Sequence, residues 1–277
     1  MFENILGHDN VKKHLESDLE ESKVSHAYLF LGNEGIGKKE LAIEYAKKLL
    51  NTKNLDTCID YKYIEKLPDK KEIIVEQVRN KIVNDVYVAP ATGIYKVYVI
   101  NDAHLLNTAA QNALLKTLEE PPKYVVIILV TNNEKALLTT VLSRVKKVNF
   151  SKLSNFDICT ILKEKYNLDI DEAKLDYAAG SLKVALELCM QQDNKYEKID
   201  ELYRNYKKQD VLGSMKSIEQ VNFKDDETFN YLQYLFMRDE KFDKIAIIEK
   251  AKNRMKQNAN EDIVKQALNI YILKGGV

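Results

Sequence analysis

Cysteine is scarce and scattered. Cys58, Cys159 and Cys189 are odd in number and far apart, with neither the pairing of a disulfide framework nor the spacing of metal ligands, and they fit a reducing compartment. Tryptophan is absent, and the 16 tyrosines are spread along the chain rather than gathered into a base-stacking platform. Neither sign of charge is in excess, with 42 basic against 42 acidic residues and a pI near 6.9. That balance sets up no global positive field and argues against tight stand-alone nucleic-acid binding. Lys12-Lys13, Lys146-Lys147 and the stretch from Lys250 to Lys256 remain as local basic groups, and most such groups are solvated faces. No apolar run approaches the length needed to cross a bilayer. The N-terminal residues show no basic segment leading into an apolar one, so no signal peptide is expected. A cytoplasmic protein without a membrane partner follows as the expectation.

What the chain does have is a core. Hydrophobic residues make up 45% of 277 residues, enough for two or three packed domains. Glycine and proline, nine and four in number, punctuate it at loops and caps, with Gly213 undecided. The apolar run Ala27 to Leu31, Lys96 to Ile100 and the β-branched run Tyr124 to Val130 read as buried parallel strands, with a weaker strand at Val145 to Phe150. Helical spacing marks Val11 to Leu19, Glu40 to Leu50, a segment around Val78 to Ile82, and Asn107 to Leu118, which Pro121-Pro122 stops. Residues 51–71 are polar and irregular and read as a loop. Strands alternating with helices predict a parallel α/β sheet. From Ser154 onward the periodicity is helical, and the polar run Gln191 to Asn194 reads as a hinge. Three domains are expected: α/β over 1–150, a small helical one over 151–194, and an all-helical one over 195–277.

Gly32-Asn-Glu-Gly-Ile-Gly37-Lys38 follows a strand and opens a helix. Gly32, Gly35 and Gly37 let backbone N–H groups curl around a phosphate chain. The helix N-terminus and Lys38 supply positive charge. A working loop of this kind next needs a hydroxyl to ligate the nucleotide's Mg²⁺, and a strand-end aspartate as the second metal position. Lys39 stands at the first place and Asn101 at the second. Asp102 follows one residue later and, by strand alternation, is expected to point elsewhere. Two changed metal positions argue against hydrolysis. The plain alternative is a scaffold turn with at most weak ATP or ADP binding and no required cofactor. His104 lacks a serine or cysteine partner and reads as a loop residue. Glu119-Glu120 could be paired carboxylates, but their place at a helix end reads as structural or as part of an interface.

The run Asn101-Asp-Ala-His-Leu-Leu-Asn-Thr-Ala-Ala-Gln-Asn-Ala-Leu-Leu-Lys-Thr-Leu-Glu-Glu-Pro-Pro122 resembles the clamp-loader subunits of the AAA+ superfamily. So does Leu142-Ser143-Arg144, which is similar to that family's Ser-Arg-Cys motif with Val145 in third place. The opening from Phe2 to His8, the run Ser25 to Gly32, Gln77-Val-Arg79, Gly180-Ser-Leu-Lys183 and Asn258-Ala-Asn260 add support. The best fit is to the delta-prime type of bacterial DNA polymerase III. The resemblance implies a P-loop AAA+ α/β domain, a helical lid and an all-helical collar that joins subunits. It implies that Arg144 acts in trans as an arginine finger on a neighbour's ATP, presented by a turn that Ser143 shapes. Thr131-Asn132 matches the family's first sensor position, and Lys183 stands where motor subunits carry a sensor arginine. Asn101-Asp102 replaces their Asp-Glu pair. Loader subunits often carry a four-cysteine zinc module where this chain has only Cys58, so no zinc is expected. The implied partners are the motor and delta subunits and, through the complex, a sliding clamp and primed DNA. The departures match a bracing subunit without intrinsic ATPase activity inside a DNA-directed DNA polymerase (nucleotidyltransferase) holoenzyme. The alternatives are a loader-type ATPase with Asp102 recruited to Mg²⁺, and a small-molecule kinase, which the helical second half disfavours.

Overall fold

The computed structural model describes residue 2 and residues 5–190 and 194–274. Three residues of the expected hinge, 191–193, lie outside the described residues, as do Glu3 and Asn4 of the opening motif. The chain divides into two compact units. One comprises 1–167 with 180–184, and the other 168–179 with 185–277.

In the first unit, α1 (Asp9–Glu20) leads to β1 (Ala27–Leu31), the glycine-rich turn and α2 (Lys38–Leu49). Then come β2 (Tyr61–Ile64), α3 (Val75–Val78) widening into a looser turn over Arg79–Val83, and β3 (Lys96–Ile100). After these lie α4 (Thr108–Glu119), β4 (Val125–Thr131), the single turn α5 (Thr139–Leu142), β5 (Lys146–Asn149) and α6 (Asn155–Ile161). The five strands form one parallel sheet in the order β2-β3-β4-β1-β5. Strands β3 and β4 are buried along their whole length, as their unbroken apolar runs require when helices cover both faces. Strand β2 corrects the loop expected over residues 51–71. Tyr61-Lys-Tyr-Ile64 is an edge strand that is half-buried at three of four positions, so it carries no apolar run to betray it.

Register positions the site. Leu31 pairs with Thr131 and Ile100 with Leu129, so the C-terminal ends of β1, β3 and β4 finish side by side. Ligands of open parallel sheets bind at this edge.

The sheet is tied to α1 and α2 by a buried polar cluster. The Tyr28 hydroxyl donates to Asp18 Oδ2 at 2.8 Å and meets the Tyr45 hydroxyl at 3.2 Å. Lys146 Nζ reaches both Asp18 oxygens at 2.8 and 2.7 Å. Burial pushes the Tyr28 phenol up to about 12, so it stays a neutral donor.

The second unit is helical. It holds α7 (Glu172–Ala178), the remainder of α8 (Leu182–Met190), α9 (Lys195–Lys207), α10 (Val211–Gln220), α11 (Asp226–Arg238), α12 (Phe242–Lys256) and α13 (Glu261–Lys274). Gly213 sits inside α10, its N–H capped by Asp210 Oδ1 at 2.9 Å. An edge-on aromatic cluster of Tyr177, Tyr196 and Tyr231, with centroids 4.9 Å apart, packs α7, α9 and α11 together.

Asp18→Ala is expected to lower stability by about 2 kcal/mol, since it removes the shared acceptor of the Tyr28 hydroxyl and the Lys146 ammonium. Urea denaturation measures it, and an unchanged midpoint would show that the cluster is incidental.

Candidate functional site

The glycine-rich turn emerges from β1 and ends at the N-terminus of α2. Gly37 has φ +93° and nothing within 4 Å of the place a Cβ would take, so this turn backs onto open space where backbone N–H groups can hold an anion. Gly35 has φ +73°, and a Cβ there would run into the Ser181 and Lys183 side chains. Glycine is required at Gly35 by contact as well as by dihedral.

Every carbonyl from Gly32 to Ile36 is taken by the chain itself. Lys38 Nζ donates to Gly32 O at 2.7 Å and to Asn33 O. Ser181 Oγ donates to Glu34 O at 3.0 Å, and the Lys183 amide donates to Gly35 O at 3.3 Å. His8 Nε2 lies 2.6 Å from Ile36 O. Above the turn, Lys183 Nζ pairs with Glu34 Oε1 at 2.6 Å, and this bond holds the Glu34 carboxyl below its ordinary range. Burial lowers the pKa of the Lys38 ammonium, partly offset by the charges of Asp102, Glu34 and Glu40.

Lys39 turns away from the cradle. Its Nζ sits 5.1 Å from the centre of the Tyr63 ring and 3.8 Å from Glu65 Oε2. Asn101 donates from Nδ2 to Asp102 Oδ2 at 2.9 Å, with its own amide on Ile64 O at 2.9 Å. Asp102 corrects the expectation from strand alternation. The strand ends at Ile100 and Asp102 has φ 51°, so alternation no longer governs it. Its carboxylate folds back to accept from Asn101, and its charge helps offset the lowering of the Lys38 ammonium pKa. The donor set at the two Mg²⁺ positions, an ammonium and a carboxamide, does not fit a metal, and the carboxylate of Asp102 is what the site retains.

Thr131 ends β4 fully buried. Its Oγ1 lies 3.4 Å from His104 Nδ1 and 3.1 Å from the Asn133 amide, whose proton it accepts, and its carbonyl accepts from Gly32 N at 3.3 Å. Asn132 beside it is exposed. The structure therefore gathers Gly32, Gly35, Gly37, Lys38, Asn101, Asp102, Thr131 and Lys183 at one edge.

Arg144 belongs to a different place. Its Nη1 donates to Thr140 O at 2.8 Å and Ser143 Oγ at 3.0 Å, and Nη2 pairs with Glu119 Oε1 at 2.9 Å. The pair is 33% and 49% exposed, so it is worth at most about 1 kcal/mol. Residue-by-residue reading missed His8, Ser181, Glu34 and Gln111. Buried Gln111 donates to Leu106 O at 2.9 Å and Ala136 O at 3.0 Å, and accepts from Leu138 N at 2.7 Å. This joins α4 to the segments that leave β3 and β4. His8 and Gln111 both fall inside the motifs that carry the family resemblance, but no local pattern assigned either a role.

Residues 7–154 match the protein family described as DNA polymerase III, delta subunit. The chain is 32% identical to DNA polymerase III subunit tau of Bacillus subtilis over 66% of this chain and 34% of that protein. It is 32% identical to subunit gamma of Buchnera aphidicola over 68% of this chain and 57% of the relative. It is 35% identical to subunit tau of Escherichia coli over 55% of this chain and 26% of the relative. The matched stretch thus spans between about a quarter and somewhat over half of these relatives. Among solved structures, a DNA polymerase III gamma subunit-related protein from Thermotoga maritima has TM-score 0.56 at 18% identity, covering 94% of this chain and 98% of that one. The RuvB Holliday junction branch migration motor of the same organism has TM-score 0.51 at 19% identity, covering 99% and 90%. Both share the AAA+ P-loop fold with its parallel sheet and helical C-terminal part.

His8 supplies a pH test of the turn. Burial is the main reason its imidazole pKa lies below the ordinary 6.5, reinforced by Lys12 and Lys38 and opposed by the bond to Ile36 and by Asp157. A pKa depressed on folding means the unfolded chain binds the proton first, so this contribution is complete above about 6.5 and is lost as pH falls through that value. His8→Gln keeps an N–H donor without the titration. The stability advantage of wild type over His8→Gln should therefore shrink between pH 7.5 and 5.5 in paired urea melts, while a constant difference would mean that His8 does not titrate there.

Proposed function

The chain belongs to the DNA polymerase III delta-subunit family, and from that premise we propose that it is a delta-prime-like clamp-loader subunit that does not hydrolyse ATP itself. In this reading it braces a ring of loader subunits and supplies Arg144 to a neighbour's ATP while the complex places a sliding clamp on primed DNA. The observation that carries the reading is the donor set of its own P-loop. Lys39 leans on Tyr63 and Glu65 where a hydroxyl is needed, and Asn101 offers a neutral amide already bonded to Asp102. The cradle remains able to hold phosphate through backbone N–H groups and Lys38, so ATP or ADP binding without catalysis fits it.

Arg144 supports the second half of the reading by its position. Its hydrogen bonds and ion pair go to Thr140, Ser143 and Glu119, which hold it at the surface between α4 and α5, where a guanidinium can meet a phosphate from another subunit. The lid role falls to residues 151–194 and the collar role to 195–277. Exposed Leu212 and Met215 on α10, with Ile263 and Tyr271 on α13, offer apolar surface for the motor and delta subunits. The setting is the cytoplasm.

One observation favours the other reading, a loader-type ATPase. Asp102 carries its carboxylate to the edge of the cradle, beside Asn101 and within the field of Lys38, and the relatives above are named tau and gamma.

The isolated chain is expected to show negligible ATP turnover, and steady turnover that disappears in Lys38→Ala would instead establish the ATPase reading. Lys39→Thr together with Asn101→Asp should raise Mg²⁺-dependent nucleotide affinity, measured by titration calorimetry, with little gain from either alone. Equal gain from one single variant would show that the other position never limited binding. Arg144→Ala should leave folding and assembly intact yet lower the ATPase rate of the reconstituted loader. Arg144→Lys should be nearly as damaging, because lysine replaces a planar fork with a point charge. Wild-type rates in a fully assembled Arg144→Ala loader would reduce Arg144 to a surface ion pair.

A further inference from the structure

Glu119 is the last residue of α4, where a negative charge opposes the helix dipole. The helix itself therefore gives no reason for an acid at this position. What Glu119 contacts is Arg144, with Oε1 at 2.9 Å from Nη2. The other arm of the guanidinium is fixed from α5 and the turn after it, by Thr140 O at 2.8 Å and Ser143 Oγ at 3.0 Å. Ser143 Oγ in turn donates to Thr140 O at 3.1 Å. Three acceptors from two separate segments thus order a side chain that carries large rotamer freedom when unheld. Arg144 Nε has no hydrogen-bond partner among the described residues, so donor capacity remains after the three bonds are made.

We propose that Glu119 is a positioning residue for Arg144: its carboxylate fixes the plane of the guanidinium on this chain before a neighbouring subunit's phosphates meet it. Removing the carboxylate leaves the arginine charge in place but lets the fork sample orientations that do not meet the phosphates. Ordering a binding group in advance removes that loss from the moment of contact. The proposal rests on the reading of Arg144 as a group acting in trans.

The test is a mutant cycle in the reconstituted loader, with assembly followed by co-elution and thermal unfolding followed on the isolated chain. Glu119→Ala should lower the ATPase kcat about two- to fivefold with the KM for ATP little changed. Glu119→Gln should fall between wild type and Glu119→Ala, because its amide oxygen still accepts the bond but carries no charge. Glu119→Ala added to Arg144→Ala should lower nothing further, since a group acting only through Arg144 has nothing left to position. A wild-type or faster rate in Glu119→Ala, beside a slow Arg144→Ala, overturns the positioning role and leaves the trans arginine standing. An additive loss in the double variant also overturns it. A silent Arg144→Ala removes the reading beneath it. Should Glu119→Ala not assemble, Glu119→Gln decides: a rate between wild type and Arg144→Ala supports the proposal, and a wild-type rate overturns it.

Discussion

Five consecutive carbonyls, Gly32 to Ile36, each accept a hydrogen bond from the chain's own donors. A turn built on positive-φ glycines has little conformational preference of its own, so these cross-links set its shape. They come from four residues in three stretches of sequence: the lysine that follows the turn, the start of α1, and the serine and lysine near residue 182. With the carbonyls engaged and Gly37 facing open space, the N–H side of the turn is the side left for an anion. The shape of the turn thus rests on hydrogen bonds within the chain.

Under the proposed reading, the cradle and the metal positions are separable features of one fold. The cradle is backbone, held by hydrogen bonds and by the sheet register, and tolerates substitution nearby. Metal ligation in a P-loop depends on two side chains, and these can change without disturbing the packing. Lys39 shows the tolerance: it lies over the Tyr63 ring at the rim of the sheet, a place where a long cation is accommodated at little cost. A left-handed residue after β3 turns the Asp102 carboxylate back to the side chain of Asn101.

Two sites emerge at different places on the first unit, and α4 runs between them. Its start follows Asn101 and Asp102, its first turn is pinned by Gln111 to the loops leaving β3 and β4, and its end presents Glu119 to Arg144. A helix with a buried glutamine in its first turn gives the P-loop edge and the arginine a shared support. The exposed Arg144–Glu119 pair contributes little to stability, and its value lies in orientation.

The sequence by itself determined the parallel α/β core, the P-loop between strand and helix, and the helical character beyond residue 154. Unbroken apolar runs, glycine spacing and 3.6-residue periodicity are local properties, and burial on both faces of a sheet writes them directly into Ala27–Leu31, Lys96–Ile100 and Val125–Thr131. It also singled out Lys39 and Asn101, because the chemistry of a metal ligand is a property of residue type. The edge strand Tyr61–Ile64 escaped notice because a half-buried edge needs no apolar run. Only the tertiary structure decided that His8 and Ser181 hold the turn, that the Asp102 carboxylate turns back to Asn101, and that Glu119 meets Arg144. Each of these depends on which distant segments the register of β1, β3 and β4 and the ends of α1, α4 and α5 bring within hydrogen-bonding distance, and no local pattern in the sequence encodes that.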